Sequence, residues 1–437
     1  MKAVMLAAPA SGSGKTTVAM AIIRALKNRG NKPTCFKTGP DYIDTAFLAA
    51  ASGRTAGNLD IHLQGRPGLR QSLALADGDL TIIEGAMGYF DGIANTWTNS
   101  SYDIGKELGV PTVLLYSPRG EMFSAIPKIK GMTDFADSLI KAVILNGVSS
   151  KIYLMLKEAV EKYLSLPVIG FMPEVKGSIL KSRHLGLVQS LELEHLDEQI
   201  ESLAREVEKT IDFEALLDIF TPIDSSPFPV MRRRDLTVAI ARDKAFSFYY
   251  RENLQLFERC CRVVYFSPLT DKELPQCDLL YLGGGYPQIF RNELSQNKVL
   301  LNQVKKFALG GGCIYAECGG MLYLCEAVDG VEMAGVLKGE SRLTDKLQRF
   351  GYVDLTLLEN CMLGQAGSTL TAHEFHRSES AIDYPANYRV SKTMGNKGWT
   401  CGYRFKNVLA GYPHLNFLGN LQAFEYMLDY AENFQTS

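Results

Sequence analysis

The stretch Ala8-Pro9-Ala10-Ser11-Gly12-Ser13-Gly14-Lys15-Thr16-Thr17 sets a lysine and two threonines at the mouth of a helical pattern. Apolar Ala3-Val4-Met5-Leu6 precedes it, and Val18-Ala19-Met20-Ala21-Ile22-Ile23 follows. Strand, small-residue loop, Lys-Thr and helix is the order that a phosphate-binding loop requires. Backbone N–H groups from Gly12, Ser13 and Gly14 through to Thr17 can point at the phosphates of ATP, and the helix N-terminus adds positive potential. Lys15 can reach the outer phosphates, and the Thr16 hydroxyl can ligate Mg²⁺. The full pattern has glycine where this chain has Pro9. The blander reading is a Gly/Ser-rich turn capping an ordinary helix. It leaves unexplained a lysine at a helix entrance, where the dipole disfavours a cation.

A second chemical group is a thiol. In Ala316-Glu317-Cys318-Gly319-Gly320 the cysteine stands between apolar Cys313-Ile314-Tyr315 and helical Met321-Leu322-Tyr323-Leu324. Small residues around a nucleophile on a strand-to-helix turn follow the logic of a nucleophile elbow, with sulfur in place of a serine oxygen. A helix N-terminus also favours a thiolate. A buried cysteine is usually just a small apolar residue, and the other eight are read that way. A base is needed, and His414 is the candidate: it follows apolar Val408-Leu409-Ala410 within Gly411-Tyr412-Pro413-His414-Leu415, at a strand end. Gly283-Gly284-Gly285, directly after another strand, suits an oxyanion hole in which N–H groups near Gly285 and Gly319 converge. A tight strand-to-helix turn is the plainer alternative.

Carboxylates complete the first centre. Lys37-Thr38-Gly39-Pro40-Asp41-Tyr42-Ile43-Asp44 follows a short strand, and Glu84-Gly85-Ala86-Met87-Gly88 follows Leu80-Thr81-Ile82-Ile83. A carboxylate at the carboxyl end of a parallel strand faces the ligand crevice. Asp44 and Glu84 are therefore candidate Mg²⁺ groups beside Thr16. His373-Glu374-Phe375-His376 looks like a metal pair at helical spacing, but it is one residue short of the zinc pattern and defaults to a polar cluster.

The elements around these groups alternate strand and helix. Apolar runs at Thr112–Leu115, Ala142–Leu145 and Pro167–Phe171 interleave with helical Ser101–Leu108 and Lys151–Tyr163, as in a doubly wound parallel sheet. Residues 197–217 read as helical. Three prolines and two serines in residues 221–229 then break all periodicity. The expected division is a first domain at 1–220, a linker at 221–235 and a second α/β domain at 236–437, with strands near Leu236–Ala241, Arg262–Phe266, Asp278–Leu282 and Cys313–Ala316.

The totals narrow the class. The chain has 437 residues and a formal net charge of -2, which gives no electrostatic reason to expect nucleic acid. Nine cysteines, an odd number with no Cys-x-x-Cys, fit a reducing cytoplasm. No apolar run is long enough to span a membrane. The apolar N-terminus runs straight into the phosphate loop and reads as a strand rather than a signal peptide.

On these motifs, together with Arg183-His184-Leu185-Gly186-Leu187, Ala241-Arg242-Asp243-Lys244-Ala245-Phe246-Ser247-Phe248-Tyr249-Tyr250 and Gly284-Gly285-Tyr286-Pro287, the sequence resembles the cobyrinic acid a,c-diamide synthase family of glutamine-dependent amidoligases over nearly its whole length. The resemblance implies a P-loop domain similar to dethiobiotin synthetase, followed by a class I glutamine amidotransferase-like α/β domain. It implies Cys318 as nucleophile with His414 as base, ATP and Mg²⁺ as cofactors, and tetrapyrrole contacts from Asp41, Tyr42, Arg183 and His184. It also implies that the third triad glutamate after the histidine is absent, and Asn416 stands two residues on from His414. The chain departs from the family at Gln288, where Glu is expected, at Arg377, where Tyr is expected, and at Tyr116-Ser117-Pro118-Arg119, where a run with Asp is expected. The implied reaction is amidation of the a and c acetates of cobyrinate through an acyl phosphate. Sirohydrochlorin or its nickel form is an alternative substrate. A nucleotide-switch protein carrying an inactive amidotransferase module is the alternative of another class. The expected partners are small molecules, and nothing in the sequence sets the oligomeric state, a homodimer included.

Overall fold

The computed structural model describes residues 1–174, 182–183, 186–187 and 195–435. It divides into two units, Met1–Ile61 with Gly65–Phe228 and His62–Gln64 with Pro229–Ser437.

The first unit is built on seven parallel strands: β1 (Lys2–Ala7), β2 (Pro33–Thr38), β3 (Gly57–Leu59), β4 (Leu80–Glu84), β5 (Thr112–Tyr116), β6 (Ile140–Asn146) and β7 (Val168–Met172). They lie in the order β3-β2-β4-β1-β5-β6-β7, and Thr221–Pro222 adds an antiparallel pair to β1. The central strands are near-continuous apolar runs because helices cover both faces. Alternation assigns each residue to a face. Val4 and Leu6 join one core cluster with Ile22, Ile82 and Leu203, whereas Ala3, Met5 and Ala7 join the other with Ile83, Ile104 and Leu114.

Two helices begin at the edge where the strands end. α1 (Lys15–Asn28) starts after Gly14, whose φ of 78° is left-handed. A Cβ at Gly14 would stand 2.5 Å from Asn146 Nδ2, so the loop closes only on glycine. α2 (Tyr42–Ser52) is capped by Asp41, whose carboxylate accepts from the N–H groups of Ile43 and Asp44.

The helical stretch expected over 197–217 is formed by two helices, α3 (Leu196–Thr210) and α4 (Phe213–Ile219). Ile211 leaves the helix to bridge Gly170, and the Asp212 carboxylate caps α4 by accepting from Glu214 and Ala215 N–H. Periodicity continues through both helices, so the apolar pattern alone hides the break.

The second unit has a ten-stranded sheet. Its strands are β8 (Thr237–Ala241), β9 (Arg262–Phe266), β10 (Leu279–Leu282), β11 (Cys313–Glu317), β12 (Arg349–Leu357), β13 (Thr369–His376), β14 (Ala386–Lys392), β15 (Gly398–Phe405), β16 (Val408–Gly411) and β17 (His414–Leu415). The order is β9-β8-β10-β11-β16-β15-β14-β12-β13-β17. The half from β9 to β16 is parallel, and the remainder is antiparallel. His373-Glu374-Phe375-His376 lies on β13, not on a helix. An odd separation on a strand turns the two imidazoles to opposite faces, which removes the helical metal pair.

From β11 the chain turns at Cys318 into α5 (Gly319–Leu324). A Cβ at Gly320 would stand 2.1 Å from the Leu282 carbonyl oxygen, so α5 lies directly on the end of β10. Gly320→Ala is expected to destabilise the fold by about 1–3 kcal/mol, the usual cost of overpacking. Thermal melting checks it, and an unchanged melting temperature contradicts so close an approach.

Candidate active site

In the first unit the carboxyl ends of β1, β2 and β4 bring the polar groups together. β4 is in register with β1 and β2, pairing Glu84 with Leu6 and with Lys37. Glu84 Oε1 accepts from Thr16 Oγ1 at 2.7 Å and from Lys37 Nζ at 2.7 Å. Lys37 Nζ also stands 2.7 Å from Asp44 Oδ2. The two acidic residues singled out in the sequence thus meet around a lysine that pattern reading passes over. Its signal was a lysine inside a strand that is buried along its whole length.

Electrostatics follow from the burial. Glu84 is wholly buried; desolvation raises its pKa to about 7 against the opposing charge of Lys37. Burial, then Asp44, raises Asp41 to about 6. Burial works against the Lys37 ammonium, but Glu84 and Asp44 overcome it and hold the group charged. Lys15 is lowered to about 8, first by burial and then by Lys37. Its Nζ donates to the Ala10 carbonyl at 3.1 Å and to the Met87 carbonyl.

The phosphate loop is braced from outside. Ser13 Oγ donates to Ala10 O at 2.8 Å, and Asn146 Nδ2 donates to Ser13 O at 2.8 Å. Arg119 Nη2 donates to Gly12 O at 3.3 Å. Among the described residues, no three His, Cys, Asp or Glu side chains gather to hold a metal ion. The fit to Mg²⁺ is nonetheless good. Thr16, Glu84 and Asp44 supply hard oxygen donors, and Glu84 Oε2 is buried without a hydrogen-bond partner. Mg²⁺ usually takes one or two carboxylates and fills its shell with phosphate oxygens and water.

The other proposed contacts fare differently. Asp41 is engaged as the cap of α2, and Tyr42 opens that helix. Arg183 falls in a two-residue strand, and His184 lies outside the described residues.

In the second unit, Cys318 sits on the turn between β11 and α5 with φ 46° and ψ -101°, a backbone conformation that costs a non-glycine residue energy. Its N–H donates to Gly411 O at 2.7 Å. The Cys318 side chain lies close enough to the His414 ring to raise its pKa. His414 lies over the glycine turn: a Cβ at Gly284 would stand 2.4 Å from His414 Cε1. A Cβ at Gly319 would stand 3.1 Å from the Gly285 nitrogen, so the two supposed oxyanion donors are adjacent. Cys318, His414 and the Gly285 and Gly319 backbone therefore converge on one turn.

His414 is buried, which works against its charged form. The Cys318 sulfur and the Glu317 carboxylate outweigh that and raise it to about 10. His373, opposite His414 in the β13–β17 pair, goes the other way; burial and then His414 lower it to about 3. His376 stacks on Tyr412 with ring centroids 3.7 Å apart, and its Nδ1 meets Ser378 O at 2.9 Å.

Residues 4–187 match the family model described as the CobQ/CobB/MinD/ParA nucleotide binding domain, and residues 237–421 match the CobB/CobQ-like glutamine amidotransferase domain. A protein of Clostridium tetani named cobyrinate a,c-diamide synthase is 40% identical over 98% of this chain and 100% of its own length. A Clostridium acetobutylicum protein of the same name is 41% identical over 98% and 100%. One from Limosilactobacillus reuteri is 37% identical over 97% of each chain. With both domains matched and the relatives aligned almost from end to end, the chain belongs to the cobyrinate a,c-diamide synthase family.

Proposed function

We propose that this protein amidates the a and c acetate carboxylates of cobyrinate, using ATP to activate each acid and glutamine as the nitrogen donor. The observation that carries the reading is the pairing of Cys318 and His414 on a glycine-lined turn, in a chain that also bears a phosphate loop with Thr16 bonded to Glu84.

In the glutaminase, the Cys318 sulfur attacks the glutamine side-chain carbonyl. Backbone N–H groups at Gly285 and Gly319 offset the oxyanion. The His414 imidazolium gives its proton to the leaving nitrogen, ammonia departs, and water then releases glutamate from the thioester. In the synthetase, a substrate carboxylate oxygen takes the γ-phosphoryl group of ATP, giving ADP and an acyl phosphate. A free carboxylate is a poor acylating agent, so this activation is needed before ammonia can displace phosphate and form the amide. Lys15 offsets charge on the phosphates, and the Gly12–Thr17 backbone orients them. Thr16, Glu84 and Asp44 would hold Mg²⁺, which when bound would offset the negative charge of the phosphates. Lys37 holds Glu84 and Asp44 together, its Nζ 2.7 Å from each.

Mass spectrometry of cobyrinate incubated with the protein, ATP, Mg²⁺ and glutamine should show two successive amide-for-acid exchanges. Amidation of sirohydrochlorin with cobyrinate left unchanged would replace the substrate assignment. Cys318→Ala should lose glutamine-driven amidation and keep ammonia-driven amidation; survival of the glutamine-driven reaction removes the nucleophile. Lys15→Met should lower both modes by at least about 10²-fold, the scale of a lost transition-state donor. Full activity in either mode would contradict the ATP site.

The pH dependence has a definite sign. With His414 raised to about 10, its proton is present at neutral pH and lost only as pH rises through that value. The kcat for glutamine hydrolysis should therefore stay level from about pH 7 to 9 and fall beyond. A decline centred near the ordinary histidine value of about 6.5 would contradict the charged imidazole.

A further inference from the structure

A class I triad normally takes its carboxylate from a residue shortly after the histidine, and here that place holds Asn416. The carboxylate closest to the ring comes from elsewhere. Glu317, the last residue of β11 and the neighbour of the nucleophile, puts Oε2 at 3.7 Å from His414 Nδ1. Glu317 is 2% exposed. Its two oxygens are fixed from three sides. Oε1 accepts from Tyr315 Oη at 2.8 Å and from the Leu415 N–H at 3.1 Å, while Oε2 accepts from Tyr281 Oη at 3.0 Å. We infer that Glu317 is the positioning carboxylate of the glutaminase, holding the His414 ring and its charge from the nucleophile's own strand. The inference deepens the function proposed above and rests on it.

The arrangement has a geometric reason. Tyr315 and Glu317 are two residues apart on β11 and share a face, and Tyr281 is directly opposite Tyr315 on β10. The same carboxylate that meets the His414 ring also binds the backbone of the next residue, Leu415, so ring and strand are held by one group. The groups facing Glu317 are otherwise neutral donors. Tyr249, Tyr281, Tyr315 and Tyr388 are all pushed up, first by burial and in each case also by Glu317. Cys318 and Glu317 are the titratable groups that most raise His414, and His414 in turn lowers His373. A neutral hydroxyl orients the carboxylate without cancelling its charge, which leaves that charge for the imidazolium.

Glu317→Gln keeps the shape and removes the charge. The expected result is a fall in glutamine-driven kcat of about 10²-fold with the KM for glutamine within about threefold, since the group acts on proton transfer rather than on binding. Ammonia-driven amidation should be unchanged, and the alkaline limb of glutamine hydrolysis should move down by about one pH unit. Glu317→Asp, which keeps the charge, should return most of that limb. A glutamine-driven kcat equal to wild type, or a lowered kcat with the limb unmoved, overturns the inference. Should Glu317→Gln lose ammonia-driven turnover through misfolding, Cys318→Ala decides. There His414 faces Glu317 without the sulfur, and its ¹⁵N-imidazole resonances should titrate above the ordinary value of about 6.5. Titration at or below that value overturns the inference. If wild-type protein shows no glutamine-driven amidation at all, the proposed function fails instead, and the two failures are told apart.

Discussion

Cys318 has a backbone that only a tightly bound turn can hold. At φ 46° and ψ -101° a residue with a side chain stores on the order of 1–3 kcal/mol of strain, so its surroundings must fix it in place. They do so with small residues and backbone contacts. The Cys318 N–H is bonded to Gly411, Gly320 rests on the Leu282 carbonyl, and Gly319 lies against Gly285 and Pro287. Each contact ties the elbow to a different strand or turn. The same contacts that impose the strain also bring the sulfur, the imidazole and the Gly285 and Gly319 backbone to one place.

Both units meet the cost of a buried charge, of the order of several kcal/mol per ion, by different means. In the first unit a cation is enclosed by anions: Lys37 lies between Glu84 and Asp44 at 2.7 Å from each. In the second unit Glu317 is surrounded by hydroxyl and N–H donors and meets its cation only at the imidazole. The first arrangement gathers two carboxyl groups around one ammonium beside a phosphate loop. The second leaves the His414 imidazole as the cationic group nearest that carboxylate.

Much of this was legible in the sequence because it is local. A phosphate loop, an elbow cysteine and a glycine turn are short patterns whose geometry follows from their residues, and the structure brings Gly285 and Gly319 together as those patterns imply. Parallel strands flanked by helices were legible for the same reason: buried strands are apolar runs of five or so residues. What was not legible depends on distant pairing. The antiparallel half of the second sheet is polar and half exposed, so its strands carry weak patterns. His373 and His376 were misread as helically spaced because strand pairing, not local composition, fixes their backbone. Lys37 and Glu317 left only one trace each, a charged residue in a buried strand, and their roles emerge only when β4, β10 and β17 lie beside them.

The pair of histidines facing each other across β13 and β17 decides which effect governs the site. Both are buried, His373 to 7% and His414 to 2% exposure, and burial pushes both down. Yet one falls to about 3 and the other rises to about 10. Solvent exclusion therefore cannot be what distinguishes them. The difference is in the neighbours: His414 has the sulfur and the carboxylate of adjacent residues on β11 and its turn, whereas His373 has no such anion among its influences and is repelled by His414 itself. Once His414 is charged, its neighbour is held neutral. A single imidazole is then left protonated, and the cross-strand partner, although of the same residue type, is held neutral by burial together with the charge on His414.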